Sequence, residues 1–226
     1  LGDRFQLADQ RLTQVQSDLT AEAVTDVQDA NRLLSTIAGL NAQIGRFEIN
    51  APGSAVDLRD QRQSLIEQLS EKISFEVRDS GSSQIQIVAK DGGGSDVVLV
   101  DLATVLAPLS FNGTQVTAGT PAATLALTGG SIKGALTARD GAIQTLRNDL
   151  DLLARQLVTS VNDAYNPTGT TGDFFTATGL TAATIGIVSG LTPITIKASD
   201  GGPAGDNTIA LAVAQLRDLC GDVTRA

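Results

Sequence analysis

Residues 12–44, LTQVQSDLTAEAVTDVQDANRLLSTIAGLNAQI, decide the fold. Leu12, Val15 and Leu19 open an apolar seam at spacings of three and four. Val27, Ala30, Leu34, Ile37 and Ile44 continue it, with Asn41 at a seam position. This is the period of an amphipathic α-helix. Extended back to Asp3, such a helix measures about 60 Å at ~1.5 Å per residue. That exceeds the diameter of a compact domain of this mass, so the reading predicts a rod. Gly45, then Asn50-Ala51-Pro52-Gly53, are expected to end the helix.

Working outward, Ser54 is the expected cap of a second helix, with Asp57 three residues on. Leu58, Leu65, Leu69 and Ile73 line its apolar face. The short Pro-Gly link makes the two helices an antiparallel hairpin. From residue 74 to 128 the period changes to two. Phe75 and Val77 alternate with Glu76 and Arg78, and Ile85 and Ile87 with Gln84 and Gln86. Val97-Val98-Leu99-Val100 forms a short apolar run, and Leu125 and Leu127 alternate with Ala and Thr. Asp79-Ser80-Gly81-Ser82 and Asp91-Gly92-Gly93-Gly94 carry turn chemistry, so a small antiparallel β subdomain is expected.

A third helix follows, capped by Ser131 and stopped at Asn166-Pro167. Ile132, Leu136, Ile143, Leu146, Leu150, Leu153, Leu157, Val161 and Ala164 form its stripe. Long antiparallel apolar seams pack as a coiled-coil-like bundle. Residues 166–205 are rich in Thr and Gly, with short strands expected at Ile185–Val188 and Ile194–Ala198. Asp206-Asn207-Thr208 opens a last helix carrying Ile209, Ala212, Leu216 and Leu219. A first helix starting at the first residues and a last one of few turns give the expectation of a chain trimmed at both ends.

Composition narrows the chemistry. The net charge is −9 over 226 residues, whereas nucleic-acid binding needs clustered Lys and Arg. The absence of His removes imidazole acid–base chemistry and the common His metal sites. One Cys excludes an internal disulfide. Seven aromatic residues, six Phe and one Tyr, are few for a ligand pocket. No apolar run reaches the length of a membrane span. The opening LGDRFQLADQRLTQ has neither the basic head nor the apolar stretch of a signal peptide.

The remaining motifs read as structure. Gly92-Gly93-Gly94 lacks the Lys-Ser/Thr of a nucleotide loop and is expected to be a hairpin turn. Asp200, Asp206 and Asn207 could offer oxygen ligands to calcium, but without EF-hand spacing they read as a solvated loop and helix cap. Cys220, with no His to activate it, reads as a small apolar side chain. Asp57, Arg59, Asp60 and Arg62, with Arg139 and Asp140, form dense charge clusters. These read as a solvated face or as lateral contacts between subunits, where Arg–carboxylate pairs fix register. No catalytic, cofactor or metal residue is assigned.

Five stretches carry a resemblance. Ser35-Thr36-Ile37-Ala38-Gly39-Leu40-Asn41-Ala42-Gln43-Ile44, Asp57-Leu58-Arg59-Asp60-Gln61-Arg62-Gln63-Ser64-Leu65-Ile66 and Gly129-Gly130-Ser131-Ile132-Lys133-Gly134-Ala135-Leu136-Thr137-Ala138-Arg139-Asp140 come first. The run Leu150–Asn162 is the fourth. Gly172-Asp173-Phe174-Phe175, with Gly205-Asp206-Asn207-Thr208-Ile209-Ala210-Leu211-Ala212, completes the set. In this order they resemble the FlgK family of bacterial flagellar hook-associated proteins. The resemblance implies a structural protein, not an enzyme. It implies export through the flagellar type III apparatus without a cleaved signal peptide, and an extracellular place at the junction of hook and filament. The partners it implies are identical subunits, hook protein, hook-associated protein 3 and an export chaperone bound through a C-terminal segment absent here. No nucleic acid, membrane or cofactor is expected. Hook-associated protein 3 and flagellin share some of this architecture and are the alternative within the class; an adhesin on a coiled-coil stalk is the alternative outside it.

The expected fold is therefore mainly α with small β elements: an elongated antiparallel helical bundle, a flagellin-like rod domain, plus a small β subdomain. Residues 1–73, 129–165 and 206–226 form the rod, 74–128 the inserted β subdomain and 166–205 a short β/loop region.

Overall fold

A computed structural model of the chain describes residues 1–81, 83–170, 172–199 and 201–222, with side chains through Arg217. Ser82 of the first expected turn, Asp200 of the calcium loop, and the side chains of Leu219 and Cys220 lie outside the described residues. Five α-helices and seven short strands appear in the order α1 (Gly2–Glu48), α2 (Val56–Lys72), β1 (Glu76–Gly81), β2 (Gln84–Lys90), β3 (Asp96–Asp101), β4 (Thr104–Val105), β5 (Leu109–Phe111), β6 (Val116–Ala118), β7 (Ala123–Thr124), α3 (Ser131–Thr137), α4 (Gln144–Tyr165) and α5 (Thr208–Asp222). A π-helical segment, Ala138–Ile143, joins α3 to α4. The fold is a helical domain with a small antiparallel β subdomain. Its contacts group into two units, Gln16–Ala142 and Leu1–Val15 with Ile143–Ala226.

In the unit Gln16–Ala142 the seam predicted for α1 is buried from Val27 to Ile44, whereas Leu19 is half-buried and, in the other unit, Leu12 is half-buried and Val15 exposed. Ala30, Leu34, Ile37 and Ile44 are fully enclosed, and Leu69 and Ile73 at the end of α2 join the same core. The strands form two antiparallel meanders, β1-β2-β3-β4 and β5-β6-β7. The expected alternation of β2 fails in its second half, where Ile87, Val88 and Ala89 are all buried. Ile87 and Ala89 belong to the shared core and Val88 is covered outside it; the partner strand carries a bulge opposite them. Ile87 pairs with Val100 but Val88 pairs with Val98, so Leu99 is an extra residue on β3. Its carbonyl leaves the ladder and accepts from the Leu106 and Ala107 amides.

Helix ends differ from expectation. α1 runs through Gly45 to Glu48, because one interior Gly costs only about 1 kcal/mol and Ile44 before it and Glu48 beyond it are both buried. Ser54 does not cap α2 and Ser131 does not cap α3. The residues before these helices are Ala55 and Gly130, and neither makes a side-chain cap. Gly130 has φ +89°, and a Cβ there would sit 2.4 Å from the Lys72 carbonyl oxygen and 2.7 Å from the Ile73 nitrogen. Only glycine fits so close to the end of α2.

In the other unit Phe5, Ala154, Val158, Phe175, Ala182 and Ile185 make the core. The buried line of α4 is Ala154, Val158 and Tyr165. Each lies one residue after the expected Leu153, Leu157 and Ala164, and Leu153 is 54 % exposed. Leu150, Leu157 and Val161 of the expected stripe flank that line, partly buried against the same core.

The strands expected at 185–188 and 194–198 are not formed. The only pairing there among the described residues is an isolated bridge, Phe175 with Ile187. The segment instead repeats one turn, in Gly179-Leu180-Thr181-Ala182-Ala183-Thr184-Ile185 and in Gly190-Leu191-Thr192-Pro193-Ile194-Thr195-Ile196. In both, the amide of the first Thr donates to the hydroxyl of the second, and the next two amides donate back to the carbonyl of the first. Thr side chains that cap local turns compete with strand formation.

Candidate functional site

The hairpin of α1 and α2 is closed by two ion pairs and a hydrogen bond whose order along the helices is that of an antiparallel pair. Glu48 meets Arg59, Asn41 meets Arg62, and Asp26 meets Lys72. At its closed end the Glu48 carboxylate is almost fully enclosed. Arg59 grips it from two sides: Nε donates to Oε1 at 2.9 Å and Nη2 to Oε2 at 2.6 Å. The Ala55 amide donates to Oε1 at 3.1 Å, so Glu48 supplies the α2 cap expected of Ser54. These donors, Arg59 first and Ser83 next, hold the Glu48 carboxyl down at about 2 against the opposing effect of burial.

Ser83 extends the cluster to the β1–β2 turn. Its hydroxyl accepts from Arg59 Nη2 at 2.6 Å, and its carbonyl accepts from Arg62 Nη1 at 2.9 Å. Arg62 is buried, and burial, then the neighbouring Arg59 charge, lowers its pKa. It donates to Asn41 Oδ1 at 2.7 Å. Asn41 Nδ2 donates in turn to the Ile85 and Leu102 carbonyls at 2.9 and 2.7 Å. The polar residue on the apolar seam is therefore fully satisfied and ties both helices to the sheet. Ten residues earlier, Asn31 gives and takes one hydrogen bond with the Leu109 backbone, both 2.8 Å, as a neighbouring strand would.

The second predicted cluster lies on the π-helical segment. Arg139 is buried and pairs side-on with Asp140 at 2.7 and 2.9 Å. Its Nη1 donates to the Gly113 carbonyl at 2.9 Å, and its guanidinium lies 5.7 Å from the Phe111 ring centroid. Arg139 therefore holds the β5–β6 turn. The Asp140 carboxyl is pulled down by the Arg139 hydrogen bond, and Asp140 itself faces solvent.

Of the six predicted residues, Arg59, Arg62 and Arg139 thus have partners inside the chain. Asp57, Asp60 and Asp140 are exposed. Glu48, Ser83, Asp26, Lys72 and Ser131 were missed by the sequence reading. Asp26 takes Lys72 Nζ at 2.6 Å and the Ser131 hydroxyl, joining α1, the end of α2 and the start of α3. Only the break in the seam at Asn41 and the buried Asp26 beside Val27 could have signalled these; the other spacings are non-local.

The remaining motifs have structural work. Asp91 Oδ1 accepts from the Gly93 and Ser95 amides and closes the β2–β3 turn. Asp206 Oδ1 accepts from the Thr208 amide at the start of α5. Asn162 pairs with the Phe175 backbone, donating to its carbonyl at 2.9 Å and accepting its amide at 2.8 Å. Among the described residues no helix is long and apolar enough to cross a membrane.

Comparison with known proteins adds the following. A family model described as the flagellar hook-associated protein FlgK helical domain matches residues 1–175. The chain is 35 % identical over 101 residues to the flagellar hook-associated protein 1 of Bacillus subtilis (strain 168), a match covering 44 % of this chain and 19 % of that protein. Its fold is similar to that of the flagellar hook junction protein FlgK from Burkholderia pseudomallei, with TM-score 0.62 and 23 % identity over 73 % of this chain and 31 % of that one. The chain thus matches only a minor part of each relative's length.

Proposed function

The chain belongs to the family of the flagellar hook-associated protein FlgK helical domain, and from that premise we propose that it serves as a structural piece of the bacterial flagellum at the junction between hook and filament. The observation that carries this is the family match across residues 1–175, which includes both helices of the braced hairpin and the whole β subdomain. The geometry supports a mechanical role. The predicted arginines are spent on fixing turns to helices: Arg59 and Arg62 on the β1–β2 turn, Arg139 on the β5–β6 turn. Breaking the bidentate Arg59 pair leaves the enclosed Glu48 carboxylate uncompensated, which opposes separation of the turn from the helices.

In this reading the chain works outside the cell, exported without a cleaved signal peptide, and its contacts are with identical subunits, hook protein and hook-associated protein 3. An export chaperone is expected to bind elsewhere in the full-length protein. The exposed carboxylates Asp57 and Asp60 are the members of the predicted set available to neighbouring subunits, while Asp140, also exposed, is paired with Arg139. Its role is structural rather than catalytic. The test is deletion of the full-length gene, with electron microscopy of the cells and the shed material. Hooks without attached filaments, restored by the intact gene, are expected; normal filaments on the deletion strain refute the junction role.

A further inference from the structure

The tip of the α1–α2 hairpin carries an apolar patch that the brace around Glu48 does not cover. Phe47, Ile49 and Val56 are 68, 73 and 57 % exposed. Phe47 and Val56 line an open groove of about 530 Å³ with Gln43, Ser54, Asp57 and Gln61. Asp57 and, one turn on, Asp60 are exposed beside it. Phe47 and Val56 in one groove with polar and acidic neighbours, and the exposed Ile49 two residues on from Phe47, mark an interaction surface. The occupant must be apolar and basic, at a spacing that fits a groove.

The start of α1 has that character. Arg4, Leu7, Arg11 and Val15 recur at three, four and four residues, which places them on one face of the helix. All four are exposed. The pattern is that of a helix laid into a groove, with apolar anchors separated by charges of the opposite sign to the groove's rim. We propose that the hairpin-tip groove receives the Arg4–Leu7–Arg11–Val15 face of α1 from a second copy of this chain. Leu7 and Val15 lie against Phe47, Ile49 and Val56, and Arg4 and Arg11 meet Asp57 and Asp60. The proposal rests on the reading of the chain as a self-assembling flagellar subunit and names the surface that such assembly uses. The two patches differ, so the contact is heterologous and passes from copy to copy in a ring or a helical array.

The test uses the 226-residue chain with Cys220→Ser, in two single-cysteine variants, Leu7→Cys and Val56→Cys, mixed under oxidation. A disulfide-linked heterodimer is expected at about tenfold the yield of a control mixture of Leu7→Cys with Thr159→Cys, falling with added salt. Adding Arg4→Glu and Arg11→Glu to the first partner lowers the yield to the control. Adding Asp57→Arg and Asp60→Arg to the second partner as well restores it, which misfolding of either variant cannot imitate. Yields equal to the control, or indifferent to the charge exchange, overturn the proposal. Should that happen while the deletion strain still loses its filaments, this contact falls and the junction role stands.

Discussion

The two units satisfy their non-helical backbone in different ways. In Gln16–Ala142 seven strands pair with one another, and helix side chains add a few bonds at the margins: Asn31 on Leu109, Asn41 on Ile85 and Leu102, Arg139 on Gly113. In the other unit the chain after α4 has hardly any ladder. Its backbone is held by helix side chains directly, Asn162 on Phe175, Asp151 on the Ala182 amide and Gln6 on the Ile185 carbonyl. The repeated Thr turns do the rest. An Asn on a helix thus stands in for a missing strand in both units, but in one it supplements a sheet and in the other it replaces one.

That contrast can be broken most forcefully at Gly130. Gly130→Ala puts a methyl group into the α2 terminus and strains a positive φ, and should cost about 3 kcal/mol or more. Amide exchange measured by mass spectrometry should speed up through β1–β7 and leave the Phe175 and Ala182 amides protected. Uniform acceleration would show that the two units open together.

Paired truncations sharpen the comparison next. Asn41→Ala leaves the Ile85 and Leu102 carbonyls and Arg62 short of partners, at about 3 kcal/mol. Asn162→Ala removes three bonds around Phe174 and Phe175, two of them amide bonds accepted by its Oδ1, and should cost about 2 kcal/mol. Urea unfolding read by helical circular dichroism measures both. A larger loss for Asn162 would mean that the strandless unit depends more heavily on its staple than the sheet-bearing unit does.

Acid should weaken the braced hairpin. A carboxyl held at about 2 in the fold, against about 4.5 when exposed, contributes stability that is complete above the unfolded value and is lost as pH falls through the folded one. The difference in melting temperature between the native chain and Glu48→Gln should therefore be constant from pH 7 to about 5 and shrink between about 4.5 and 2. A gap independent of pH across that range would disprove the ion-pair account of the brace.

The smallest effect is expected in the second Thr turn. Thr195→Val removes the hydroxyl that accepts from the Thr192 amide in a solvent-exposed loop, and should cost about 0.5–1 kcal/mol. Thr184→Val, in the turn whose Ile185 is fully buried, should cost more in the same melt.

The seam from Val27 to Ile44 was legible because burial imposes a 3.6-residue repeat on a helix; at its start Val15 is exposed, and in β1 Val77 is exposed while Arg78 is half-buried, so there the expected repeats and burial part company. The helical domain with a β subdomain followed from those repeats alone. The charged candidates were visible as residues but not as roles. Arg59 and Arg62 find Glu48 and Asn41 eleven and twenty-one residues away, and Arg139 finds Gly113 twenty-six residues away. No periodic signal reports such pairings. The bulge at Leu99, the π-helical segment before α4, and the Thr turns in place of strands were likewise settled by packing. One residue inserted into a ladder or a helix costs little locally, and only the fit of distant side chains determines where it falls. The sequence by itself determined which segments bury an apolar face; the tertiary structure decided which polar groups are consumed inside and which stay exposed at the hairpin tip.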